Sequence, residues 1–72
     1  MTEMLTPAFL RKLDKLDHAG LEALRKELVV RQEGARMRFA KDRSPKNGEA
    51  YRRRGFELGE VRSRLRAIAP SA

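Results

Sequence analysis

The sequence predicts an all-α protein, a short N-terminal helix followed by a long antiparallel two-helix hairpin. Three observations lead there. Apolar residues recur at intervals of three, four and seven along most of the chain, the spacing that gathers them on one face of a helix. No stretch combines two-residue alternation with the β-branched enrichment of a strand. Turn-forming residues gather at two places, Asp17 to Gly20 and Asp42 to Gly48. Seventy-two residues without a cysteine make one small domain, residues 1–72, whose stability must come from its core or from a partner.

The first helix is expected over residues 7–16. The Thr6 hydroxyl can accept from an orphan backbone N–H, and Pro7 at the first helical position has no N–H to lose. Phe9, Leu13 and Leu16 then fall at helical spacing among Arg11, Lys12, Asp14 and Lys15. A helix this short is not stable alone in water, so its apolar face must pack.

The second helix is expected over residues 18–41. Asp17 serves as its N-cap, with Leu16 and Leu21 in the positions of a hydrophobic staple. Leu21, Leu24, Leu28, Ala35 and Phe39 form its stripe. Val29 and Val30 fall outside that stripe, and Gly34 weakens the helix by ~1 kcal/mol relative to alanine. A second contact surface would account for both.

Residues 42–48, Asp-Arg-Ser-Pro-Lys-Asn-Gly, predict a loop, since each type favours a turn for its own reason. The third helix is expected over residues 49–68, with Tyr51, Leu58 and Leu65 at every seventh position and Val61 and Ile68 on the companion seam. Pro70, Ser71 and Ala72 fall in a loose tail, residues 69–72.

Catalytic signals are close to absent. His18 stands alone behind Asp17, as a surface neighbour of the cap rather than a base or ligand, and with Asp14 makes a weak metal cluster. Ser44, Ser63 and Ser71 have no base to activate them. Gly48, Gly55 and Gly59 match no phosphate-loop spacing and follow no strand. The expectation is a protein that is not an enzyme and has no metal, cofactor or small-molecule substrate. No run approaches the ~18 apolar residues of a membrane span, and Met1 to Leu5 lacks a basic region with an apolar stretch behind it. A soluble, cytoplasmic protein without a membrane partner is expected.

The charge is more informative. The formal net charge is +7. Residues 1–35 carry six bases and six acids, whereas residues 36–72 carry eleven bases and four acids. A one-sided field of this kind concentrates polyanions, and arginine's planar fork suits phosphate. Arg36, Arg38, Lys41, Arg43 and Lys46 lead into the expected loop, and Arg52, Arg53 and Arg54 leave it. At about 100° per residue, Arg52, Gly55, Gly59, Arg62, Ser63 and Arg66 share a face beside the Tyr51–Leu58–Leu65 seam, with Phe56 at its far edge, a satellite core residue if the first helix packs over that face. Two glycines inside a helix call for a close approach there, either by a large anion or by the first helix packed over them. Tyr51 on the seam and Phe39 on the stripe leave no aromatic platform for single strands, so shape and backbone reading of a folded RNA is expected.

Several of these pieces occur together in a known family. Leu16-Asp17-His18-Ala19-Gly20-Leu21, Glu27-Leu28, Met37-Arg38-Phe39, and Tyr51-Arg52-Arg53-Arg54 through Val61-Arg62-Ser63-Arg64-Leu65 resemble the ribosomal large-subunit protein twenty-nine family over residues 5–68. The resemblance implies a structural RNA-binding protein of the large ribosomal subunit. Its hairpin would lie on ribosomal RNA near the polypeptide exit beside a neighbouring ribosomal protein. Arg36, Arg38 and the third-helix arginines would be the contacts. The chain departs from that family between Ala40 and Pro45, and where Arg54 or Gly55 stands in place of an apolar seam residue.

The alternative is a homodimer, a four-helix bundle acting as a regulatory or protein–protein interaction module. Val29, Val30, Met37 and Phe56 would line its interface, because a chain this short gains most by burying such residues against a copy of itself.

Overall fold

A computed structural model describes residues 5–68 and contains three helices in that span: α1 (Pro7–Asp14), α2 (His18–Lys41) and α3 (Pro45–Ala67). The fold is all-α, as expected from the periodicity. The tail expected at residues 69–72 lies outside the described residues.

Local chemistry sets each boundary. Thr6 accepts from the Phe9 N–H at 3.1 Å, and Pro7 follows. α1 ends at Asp14, two residues short of the expected Leu16, because the Lys15 and Leu16 N–H groups reach back only three residues, to the carbonyls of Lys12 and Leu13. That tighter turn redirects the chain. Asp17 then accepts from the Gly20 N–H at 2.8 Å and opens α2 at His18. α2 keeps its expected bounds.

The third helix begins four residues earlier than its periodicity suggested. Ser44 is its N-cap, accepting from the Asn47 N–H, and Pro45 is its first residue. Asn47 also donates from its side chain to the Asp42 carbonyl at 2.8 Å. Only Asp42 to Ser44 link the two long helices, so the expected loop of residues 42–48 is mostly helix, and Lys46 sits in the first turn of α3. The helix ends at Ala67, with Ile68 as an exposed C-cap.

Helices of 24 and 23 residues joined by so short a link must run antiparallel where they pack. Their neighbours descend in step: Phe39 against Tyr51, Gln32 against Gly55, and Leu21 in the same cleft as Ile68. The molecule is a plank of 44 × 25 × 14 Å.

The core occupies the end away from the link. Leu13 of α1, Leu21, Leu24 and Leu28 of α2, and Leu58 and Val61 of α3 are buried together, with Phe9, Leu16 and Leu65 packed on them. The Leu58–Val61 seam is therefore in the core, whereas Tyr51 is half-buried. Toward the link the filling thins to buried Ala35 and Gly48 and the Phe39–Tyr51 ring pair, whose centroids are 6.3 Å apart. Gly48 is buried because the Phe39 ring lies against its α-carbon.

Candidate nucleic-acid interface

The α2–α3 hairpin has two flat flanks, and α1 covers one of them. Asp14 accepts from Arg64, whose Nε also donates to Glu60 at 3.1 Å. Leu13, Leu16 and Leu21 border the same cleft as Arg64 and Ala67. Glu57 is buried near this side and accepts from Arg54 at 2.8 Å. The half-buried Arg54 thus fills the seam position where an apolar residue was missing, its charge matched by its own neighbour along the helix.

Gly55 and Gly59 belong to the other flank. A methyl on Gly55 would meet only the Gln32 amide nitrogen, at 3.4 Å, and one on Gly59 would meet nothing within 4 Å. The first helix therefore does not pack over these glycines, one of the two explanations for their presence. Arg52, Arg62, Ser63 and Arg66 are exposed along the same face.

Ion pairing divides the arginines into two classes. Arg25, Arg31, Arg36, Arg54 and Arg64 each hold a carboxylate, from Glu22, Glu27, Glu33, Glu57, and Asp14 with Glu60 respectively. Among the described residues, Arg38, Lys41, Arg43, Lys46, Arg52, Arg53, Arg62 and Arg66 make no ion pair with a carboxylate. All eight are exposed. Arg43 instead lies 5.7 Å from the centroid of the Phe39 ring, a cation–π contact. Lys46 adds charge at a helix N-terminus, where the backbone dipoles are already positive.

Arg36 and Arg38 do not act together. Two residues along a helix turn a side chain by about 200°. Arg36 faces the glycine flank near Tyr51, its guanidinium held above its ordinary value first by the Glu33 hydrogen bond. Arg38 faces the opposite flank, where it lines a groove with Val30, Gly34, Ala50 and Arg54. Of the ten basic residues singled out in the sequence, Arg36 and Arg54 are the two that a carboxylate neighbour matches.

The four apolar residues Val29, Val30, Met37 and Phe56 are all exposed but do not form one patch. Val30 and Met37 stand two residues beyond buried Leu28 and Ala35, and Phe56 two residues before buried Leu58. Each therefore points about 200° from its own helix's core direction, which sets Met37 and Phe56 on opposite outer edges of the hairpin. Phe56, expected as a satellite core residue only if the first helix packed over the glycines, has 53% of its surface exposed.

Among the described residues, no three His, Asp or Glu side chains converge as a metal site, and no helix is long and apolar enough to cross a membrane. Compared with family models, with curated proteins and with solved structures, the chain matches none.

Proposed function

We propose that this protein is a structural RNA-binding protein whose α3 arginines and link-end bases grip the phosphate backbone of a folded RNA, the RNA of the large ribosomal subunit. The observation that carries this reading is the segregation of charge. Outside the nominated surfaces Arg25, Arg31 and Arg64 are matched by carboxylates and Arg11 of α1 is not, while the nominated arginines, Arg36 and Arg54 excepted, are exposed and make no ion pair among the described residues.

Unpaired arginines on a rigid helix can each displace a condensed counterion when they meet a phosphate. Gly55 and Gly59 lower the surface between them, so a sugar–phosphate strand can come close to the helix backbone while Ser63 offers a neutral donor. A surface with that geometry reads shape and charge rather than base edges, which suits an A-form helix or a compact RNA fold. The family resemblance over residues 5–68 supports the ribosome as the source of that RNA, and implies a neighbouring ribosomal protein as a partner.

The dimeric reading gains no support from the apolar residues, since Met37 and Phe56 face away from each other. Sedimentation of the host's ribosomes through a gradient, repeated at raised salt, tests the proposal. The protein is expected to travel with large subunits in stoichiometric amounts and to resist moderate salt. Its retention at the top of the gradient, at the size of a dimer, overturns the ribosomal reading.

A further inference from the structure

We infer that the exposed Phe56 ring is a stacking platform for one unpaired RNA base, flanked by the arginines that hold the strand. The inference rests on the RNA reading above and adds to it a preference for RNA with an extruded nucleotide.

Its basis is the neighbourhood of Phe56 on α3. A helical side chain leans toward the N-terminus, over the residues three and four positions before it. Phe56 therefore leans toward Arg52 and Arg53, which make no ion pair among the described residues. The residues that would lean back over its other side are Gly59 and Glu60. Gly59 has no side chain and open space above it. Glu60 is drawn away, one turn toward the C-terminus, by its bond to Arg64. One side of the ring is thus left bare by two independent causes, and its 53% exposure follows.

The bare side is bounded by charge. Arg52 lies about 6 Å before Phe56 along the helix axis and Arg62 about 9 Å beyond it, at 1.5 Å per residue. Ser63 and Arg66 continue the row. A planar group laid against the ring would rest over the Gly59 backbone, with its phosphates passing toward arginines on either side. An aliphatic protein segment could use the ring, but it has no use for unpaired arginines on both sides of it. A base on a charged strand uses both, and stacking on an aromatic tolerates any base because each has a π-face.

The test uses the full chain and two RNA stems that differ by one unpaired adenosine. The unaltered protein is expected to bind the bulged stem about tenfold more tightly, within the range that base–aromatic stacking supplies. Phe56→Leu is expected to lose that preference while keeping its affinity for the fully paired stem, and Phe56→Trp to retain it. Unchanged circular dichroism confirms that both variants fold. Equal binding of both stems by the unaltered protein overturns the stacking role and leaves the backbone-binding function standing. Failure to bind either stem overturns both. A dimer in RNA-free solution that Phe56→Leu dissociates assigns the ring to a protein interface and overturns the stacking role.

Discussion

The Phe39 ring lies against the α-carbon of Gly48, so closely that a methyl group there would meet the ring's Cε1 at 3.1 Å. This contact joins the end of α2 to the start of α3 across a link of three residues. It also explains a glycine that costs helix stability. Gly48→Ala gains ~1 kcal/mol of helix propensity but forces the ring outward, and overpacking of this kind costs ~1–3 kcal/mol. The expected outcome is a net loss of stability in thermal unfolding. A raised melting temperature would show that the ring yields freely.

Gly59 is the opposite case. An added methyl meets nothing, so Gly59→Ala is expected to stabilise the protein by about 0.5–1 kcal/mol through helix propensity. The same methyl raises the floor on which RNA is proposed to lie, so affinity for RNA should fall while stability rises. Measuring both on one variant separates a glycine kept for a partner from one that is merely tolerated.

Replacing Arg62 and Arg66 together by alanine is expected to lower the slope of log affinity against log salt by up to about two. Helicity should not change, since both side chains are exposed and make no ion pair among the described residues. Arg36→Ala should change the slope less, because Glu33 already compensates that charge. Equal effects from the two substitutions would show that ion pairing does not select the binding arginines.

Acid should weaken α2 slightly. Hydrogen bonds from Arg25 and Arg36 hold the Glu22 and Glu33 carboxyls below their ordinary value of 4.5. A carboxyl lowered by folding contributes stability above its unfolded value and loses it as pH falls through the folded one. Both pairs are solvent-exposed and screened, so a small loss of stability is expected below pH 4.5 and none from this source between neutrality and that point. Glu33→Gln should remove part of the dependence, read by thermal unfolding across an acid series.

The sequence revealed the three helices and the leucine core because both depend on spacing, which survives in one dimension. Thr6-Pro7 and Ser44-Pro45 have the same capping chemistry, yet only the first reads as a helix start. At the second, Asn47 and Gly48 follow immediately and read as a turn, although Asn47 bonds back to Asp42 and Gly48 serves a ring nine residues earlier. The basic face of α3 was legible from periodicity alone. The pairing that divides its arginines was not, because a charge list does not show which carboxylate each guanidinium meets. Nor did the sequence show which flank α1 covers, a choice made by Leu13 and by the Asp14–Arg64 pair across fifty residues of chain.

The uneven filling of the plank grades its cohesion along its length. Backbone amides near Leu24, Leu28 and Val61 are shut in by the common core, while those near Lys41, Arg43 and Lys46 have one ring pair to protect them. Hydrogen exchange should therefore be slowest at the leucine end and quicken steadily toward the link, the behaviour of a lever clamped at one end. Several of the unpaired charges are carried on the loose arm, so a bound polyanion would slow exchange most where the free protein holds itself together least.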